Sequence, residues 1–221
     1  MSHSVRLSVF MLCLALAAPA WAAEDVSKVN GSIEAKAGSP YGDLDTVNGA
    51  IHIDDSAQVG AASTVNGNIA LGQGAHARSL ETVNGSIRVE REAQVTGGVA
   101  TVNGGVFVDR GSQIGGDVET VNGAIGLVDT RVAGHVRTVN GDITVGVGSH
   151  VRGGVTVERS NSWFQAVPRR RLRVVIGPDA VVEGPLVFKR EVDLLVHRSA
   201  RLGPVTGAEA VVFDSRKAPR D

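Results

Sequence analysis

The chain has 221 residues, of which 28 are glycine, and 43% of its residues are hydrophobic although only 4% are aromatic. The apolar residues are therefore mostly aliphatic, and the chain is long enough to bury a core as one or two domains. With 20% charged residues and a net charge of -1, it is neither a disordered polyelectrolyte nor a basic nucleic-acid-binding protein. The single cysteine, Cys13, excludes a disulfide framework and a metal site built from several cysteines.

The first 22 residues have the pattern of a secretory signal peptide. Arg6 supplies the positive charge, residues 7–18 form a short apolar region, and Ala20-Trp21-Ala22 is an A-x-A cleavage signature. A transmembrane helix needs about 20 apolar residues, and no other long apolar run follows. We therefore expect an exported protein without a transmembrane segment in the mature chain. Its expected location is the periplasm, with the cell surface or the medium as alternatives.

From residue 23 to residue 157 the chain is a repeat. Val-Asn-Gly occurs seven times, at intervals of 18, 18, 18, 19, 19 and 18 residues, and six copies follow a threonine. After each copy come one variable residue and two apolar residues spaced two apart, such as Ile51 and Ile53. This alternation is typical of a strand with one buried face. The apolar pattern returns without Val-Asn-Gly in residues 174–213, before a polar tail at 214–221.

Eighteen residues hold about three short strands and three corners, with no room for a helix. Chains with such a period stack their turns into a solenoid, because each turn pairs its strands with those of the next turn. The sequence therefore predicts an all-β fold, a single-stranded parallel β-solenoid (β-helix) of about nine turns of 18–19 residues, with undetermined handedness. At ~4.8 Å per turn, the rod would be about 40 Å long.

The Asn-Gly pair is expected to mark one corner of each turn, since asparagine and glycine tolerate positive φ better than other residues. Stacked at that corner, the asparagines can form an amide ladder along the rod, and the threonine hydroxyls a neighbouring one. The alternative is that the asparagines face outward and bind a ligand lattice. The ladder residues are Asn30, Asn48, Asn66, Asn84, Asn103, Asn122 and Asn140.

Residues 158–173 interrupt the repeat and are the candidate ligand-binding segment. They contain two adjacent aromatic residues and an arginine cluster, which together can engage an anionic surface such as lipopolysaccharide, peptidoglycan or lipid headgroups. The alternative is a loop whose aromatic residues cover a hydrophobic surface of the solenoid while its arginines stay in water. The candidate residues are Trp163, Phe164, Arg169, Arg170, Arg171 and Arg173.

The sequence contains no arrangement typical of catalysis or metal binding. It lacks Gly-x-Ser-x-Gly, Walker and His-Glu-x-x-His motifs, and its histidines lie at different positions of different turns. The residue after Asn-Gly varies from Ser32 to Asp142, which argues against an ion site repeated in every turn. We therefore predict no catalytic residues, no metal site and no cofactor.

The recurring Thr-Val-Asn-Gly-x-Ile/Val-x-Val unit resembles exported bacterial proteins that are classed as adhesins with a repetitive β-solenoid. It also resembles bactofilins, which are polymer-forming cytoskeletal proteins, although the signal peptide departs from their pattern. Hexapeptide-repeat acyltransferases have turns of 18 residues too, but their hexad is strict. The resemblance covers residues 26–157 well and 174–205 loosely, and it implies an architecture without implying catalytic residues.

Three functions stay open from the sequence. The first is a non-catalytic envelope protein, a rigid rod for adhesion, binding or structural support. The second is a bactofilin-like scaffold that assembles end to end, because the terminal strands of a solenoid can pair with another molecule. The third is a β-helix enzyme, either polysaccharide-active or an acyltransferase of the hexapeptide type, which would require a cluster of titratable groups on one face.

Overall fold

The computed structural model describes residues 23–159, 171–215 and 218, and within them it has 27 strands and no helix. The strands form three parallel sheets that run the length of the molecule, with every strand paired to its counterpart one turn away. The ten strands of the first sheet span about nine turns, so the predicted parallel β-solenoid is confirmed.

Sheet A carries the Thr-Val-Asn segment of each turn. Its strands are Glu24–Asn30 (β1), Tyr41–Asn48 (β3), Ala61–Asn66 (β5), Ser79–Asn84 (β8), Val99–Asn103 (β11), Val118–Asn122 (β14), His135–Asn140 (β17), Gly154–Val157 (β20), Leu186–Phe188 (β23) and Val205–Thr206 (β26). The register aligns identical residues, with Thr101 opposite Thr120 and Asn103 opposite Asn122.

Sheet B follows the Asn-Gly corner. Its strands are Ile33–Ala35 (β2), Ile51–Ile53 (β4), Ile69–Leu71 (β6), Ile87–Val89 (β9), Val106–Val108 (β12), Ile125–Leu127 (β15), Ile143–Val145 (β18), Leu172–Ile176 (β21), Val192–His197 (β24) and Ala210–Phe213 (β27). The alternation of apolar and polar residues in the sequence matches the alternation of buried and exposed side chains in the strand: Ile51 and Ile53 are buried, and His52 between them is exposed.

Sheet C closes each turn with strands of two residues. They are His76–Ala77 (β7), Gln94–Val95 (β10), Gln113–Ile114 (β13), Arg131–Val132 (β16), His150–Val151 (β19), Val181–Val182 (β22) and Arg201–Leu202 (β25). Two bridges extend this sheet toward the N-terminus, from His76 to Gln58 and from Gln58 to Pro40.

The core is a narrow aliphatic column between the three sheets. Isoleucine, valine, leucine and alanine fill most inward positions, and the two buried aromatic residues, Phe188 in β23 and Phe213 in β27, lie toward the C-terminal end. The sheets continue across the interruption of the repeat, since Ile143 pairs with Val174 and Val155 with Leu186. Strand β20 ends at Val157 and β21 begins at Leu172, so the interruption lies between two strands and the stack continues after it.

The glycine of each Asn-Gly corner has a different role from the predicted one. Among the seven glycines, only Gly31 has a positive φ, of 107°. In the six later copies a Cβ would lie inside the contact distance of the backbone carbonyl oxygen of the glycine one turn earlier, as Gly104 shows against Gly85. The positive-φ explanation was therefore wrong for these copies. Glycine is required because successive corners approach too closely for a side chain.

Candidate functional site

The seven asparagines of the repeat lie at the C-terminal ends of successive sheet A strands and form one continuous ladder of amide groups. At each step, Nδ2 of one asparagine donates to Oδ1 of the asparagine one turn earlier, over 2.9–3.1 Å. All the amides therefore point the same way, which allows the bonds to polarise one another. The ladder holds the corner of each turn in a fixed position relative to its neighbours.

An arginine terminates this ladder at its C-terminal end. Nη1 of Arg190 donates to Oδ1 of Asn140 over 2.8 Å and to the carbonyl oxygen of Val139 over 3.1 Å. Asn140 belongs to the last copy of Val-Asn-Gly, so no further asparagine of the repeat donates to its Oδ1. The guanidinium of Arg190 takes the place of that amide. The last ladder amide is therefore capped by a charged donor.

The threonine hydroxyls do not form the predicted neighbouring ladder. The threonines do stack, but in five copies Oγ1 donates to the backbone carbonyl of the glycine at the preceding corner, over 2.9–3.1 Å. Bonding to a main-chain oxygen satisfies both the buried hydroxyl and a backbone acceptor at each of these corners. The sixth copy, Thr138, has a buried Oγ1 without a hydrogen-bond partner among the described residues.

The valine of every Val-Asn-Gly copy points outward and forms a stripe along sheet A. From Val47 to Val121 the exposed fraction of each valine is between 38% and 41%, and Val29 at the N-terminal end is 67% exposed. Equivalent outward positions two residues earlier hold unrelated side chains, such as Ser63, Glu81 and Ala100. We name the stacked valines the valine stripe; its members are Val29, Val47, Val65, Val83, Val102, Val121 and Val139.

A shallow groove of about 430 Å³ runs beside the valine stripe. The buried threonines form its floor, the valines form one wall, and the opposite wall carries Glu81, Glu119 and Arg137. Arg137 is held by Asp117 at 2.9 Å and by Glu119 at 2.6 Å. The groove is therefore apolar on one side and bears an ion-paired polar wall on the other.

Aspartates at the start of several sheet A strands accept hydrogen bonds from the next turn. Oδ1 of Asp43 accepts from the backbone N–H of Ala61 over 2.8 Å, and Arg78 pairs with the same carboxylate. The bond from Ala61, followed by that from Arg78, holds the pKa of Asp43 below its usual range. These carboxylates connect adjacent turns and thereby have a structural explanation.

The predicted ligand-binding segment lies mostly outside the described residues. This applies to Trp163, Phe164, Arg169 and Arg170. Arg171 is described, and its guanidinium lies 3.1 Å from Glu191 and 3.7 Å from Asp193.

Arg173 lies in strand β21, and its backbone N–H donates to Oδ1 of Asp142 over 2.8 Å. The charge of Arg171 is thus directed toward acidic residues of the following turn, and the backbone of Arg173 belongs to the sheet.

The described histidines are dispersed. His150 pairs with Glu183 at 2.7 Å, and His52 lies 3.6 Å from Asp54, on different faces of the rod. In residues 23–159, 171–215 and 218, no three His, Cys, Asp or Glu side chains are grouped so that they could hold a metal ion. The same part of the chain contains no helix with the length and apolar character needed to cross a membrane.

The C-terminal end of the rod exposes residues that elsewhere belong to the core. Val212 occupies the inward row next to Val196, yet Val212 is 66% exposed and Val196 only 7%. Val205 is also exposed, and among the described residues β25, β26 and β27 pair on one side only. In the part of the chain that the structure describes, this end therefore presents unpaired strand edges and an exposed apolar layer.

Breaking the asparagine ladder in its middle is expected to destabilise the fold. Asn84→Asp replaces the donor to Asn66 with an oxygen, so two acceptors face each other. We expect the free energy of unfolding to fall by about 1–2 kcal/mol in urea titrations followed by circular dichroism. Asn30→Asp is the matched control, because Asn30 serves the ladder through its accepting oxygen. Equal losses in the two variants would show that the ladder contributes little.

Comparison of the chain with protein-family models, curated proteins and solved structures finds no significant match.

Proposed function

We propose that the protein is a non-catalytic, exported protein of the bacterial cell envelope, a rigid β-solenoid that binds an extended partner along the valine stripe. The observation that carries this proposal is the repetition of one exposed apolar side chain at the same outward position of successive turns. A linear partner lying parallel to the rod would meet the same contact at every turn. The adhesin-like resemblance of the repeat and the signal-peptide pattern of residues 1–22 support the proposed class and location.

Structural needs account for the other residues of the repeat but not for the apolar character of this valine. The threonine is buried and bonded, the asparagine forms the ladder, and the glycine permits close approach. The valine faces solvent, where threonine would offer the same β-branched shape for stacking. An apolar side chain that recurs at an exposed position is the pattern expected of a binding surface.

The test removes the apolar character of the stripe and preserves its shape. In the variant Val65→Thr/Val83→Thr/Val102→Thr, we expect an unchanged circular dichroism spectrum and unfolding midpoint, because threonine suits an exposed strand. We expect sedimentation of the purified protein with isolated envelopes to fall at least tenfold. The control variant Gln94→Ser/Gln113→Ser/Val147→Ser changes three exposed residues elsewhere and should sediment like the parent. Undiminished sedimentation of the threonine variant would remove the valine stripe as the binding surface.

The arginine-rich segment is the competing surface for an anionic envelope polymer. The pairing of Arg171 with Glu191 and Asp193 reduces the positive charge that it can offer to such a partner. In the same assay, Arg169→Ala/Arg170→Ala/Arg171→Ala should sediment nearly as the parent does if the valine stripe carries binding. Loss of sedimentation in this variant alone would assign envelope binding to residues 158–173 instead of the valine stripe.

A second candidate function, a scaffold that assembles end to end, is favoured by the exposed C-terminal layer. Parallel strands that pair on one side only within the described residues, together with exposed valines of the inward row, are a template on which another copy can continue the sheets. Light scattering across a concentration series distinguishes the two functions. A constant monomer mass supports the first function, a monomeric rod that binds its partner along the valine stripe. Concentration-dependent filaments that Val212→Lys abolishes would support the scaffold.

A further inference from the structure

A second groove, on the outer face of sheet B, has the composition of a small-ligand site. It has a volume of about 570 Å³, within the range of ligand pockets of roughly 300–1,000 Å³. Small residues, including Gly105, Ala124 and Gly126, line it together with the aromatic side chain of Phe107. This groove is separate from the valine stripe and is independent of the function proposed above.

Phe107 is an outward-facing aromatic residue in a chain with few aromatic residues. It lies in one row with Arg88 on the preceding turn and Gly126 on the following turn. The guanidinium carbon of Arg88 lies 4.9 Å from the ring centroid, so Arg88 covers the ring on that side. Nε of Arg88 is in turn paired with Glu90 at 2.5 Å, which fixes the guanidinium.

The Phe107 ring lies next to Gly126, which carries no side chain that could cover it. A Cβ built on Gly126 would lie 3.3 Å and 3.9 Å from two carbons of the Phe107 ring, with no other atom beyond its chain neighbours within 4 Å. A side chain at this position would lie against the ring, and glycine leaves this side of the ring uncovered. Thr144, one turn further, also lines the groove.

The rim of the groove supplies hydrogen-bond donors. Oδ1 of Asn68 accepts from the N–H of Ser86 over 2.8 Å, which leaves its Nδ2 group for another partner. The hydroxyl of Ser86 accepts from the N–H of Gly105 over 3.3 Å and keeps its own proton to donate. Among the described residues that line the groove, Arg88 is the only charged one, and Glu90 neutralises it.

These features select an uncharged ligand that is apolar on one face and polar at its edges. A pyranose ring has this form, because its C–H groups carry partial positive charge toward the negative face of an aromatic ring while its hydroxyls point outward. From Ala70 to Thr144 the groove spans four turn-to-turn steps, about 19 Å at ~4.8 Å per turn. We propose that the groove of Phe107 and Gly126 binds a neutral oligosaccharide, with one sugar ring stacked on Phe107 above Gly126.

The test titrates the full-length mature protein with cellohexaose, maltohexaose and chitohexaose and follows backbone amides by NMR. We expect at least one of the three to shift the resonances of Phe107, Gly126 and Thr144 in a saturable manner. Phe107→Ala should weaken that binding about tenfold, which corresponds to about 1.4 kcal/mol, while Phe107→Tyr should preserve it. Gly126→Val, which places a side chain against the ring, should weaken binding by at least as much.

The controls separate loss of the site from loss of the fold. His52→Ala changes the same row of sheet B outside the groove and should bind like the parent. Variants are compared only where their amide spectra outside the groove match the parent spectrum. The proposal is overturned if none of the three sugars binds at millimolar concentration, or if Phe107→Ala and Gly126→Val both retain parental affinity. Saturable binding of fatty acids at this groove, without sugar binding, would assign it to apolar ligands instead.

Discussion

Gly104→Ala is expected to lower the free energy of unfolding by about 3 kcal/mol, at the upper end of the cost of overpacking. The added methyl group would meet the backbone carbonyl of Gly85, and a backbone atom cannot move aside as a flexible side chain can. Relief would require adjacent turns to separate, which would also stretch the ladder bond between Asn103 and Asn84. Urea titration followed by circular dichroism measures the effect.

The adjacent residue provides the matched control. A Cβ on Gly105 would lie 3.1 Å from the carbonyl oxygen of Ala124, and the same position carries alanine in two other turns, Ala50 and Ala124. Gly105→Ala should therefore change the unfolding free energy by less than about 1 kcal/mol. A comparable loss in both variants would show that the close approach of Gly104 to Gly85 is not what requires glycine at the corner.

Leu127→Ala is expected to cost about 2–5 kcal/mol, the range for removing a fully buried leucine side chain. Leu127 is completely buried in the inward row between Val108 and Val145. The neighbouring side chains are β-branched and stiff, so they cannot move into the vacated space. The narrow core leaves no second layer that could collapse inward.

An exposed valine, Val147, provides the control for this substitution. Val147 is 49% exposed, and Val147→Ala should change stability by less than about 0.5 kcal/mol. Because each turn contacts mainly its neighbours, hydrogen exchange should show that Leu127→Ala lowers protection most in adjacent turns and least in the terminal ones. Uniform loss of protection along the rod would contradict this nearest-neighbour picture.

The fold could be predicted from the sequence because its information is local and repeated. Ile51 and Ile53 alternate with exposed His52, and the constant period aligns each such segment with the next. The same repetition identified the asparagines as residues that stack at one corner. Parallel pairing of identical turns leaves few alternative arrangements, so a period of 18–19 residues determines most of the architecture.

The surface features depended on information that the sequence pattern does not contain. A valine before Asn-Gly resembles a core residue, and only the consecutive outward orientation of Val102 and Asn103 shows that it is exposed. The role of the threonine was predicted incorrectly, because its side chain reaches a main-chain oxygen of the preceding turn. A single outward Phe107 could be noticed in the sequence, but its placement beside a glycine, Gly126, depends on the register between turns.

The ladder of asparagine side chains gives the rod a direction as well as rigidity. Every amide donates toward the N-terminal end, where Asn30 supplies the first accepting oxygen, and Arg190 closes the series at the other end. A duplicated 18-residue unit inserted between these two ends would add one donor and one acceptor and leave the polarity of the series intact. The gene can thus lengthen or shorten the protein by whole turns without redesigning either terminus. Length is therefore a property that evolution can adjust independently of the fold.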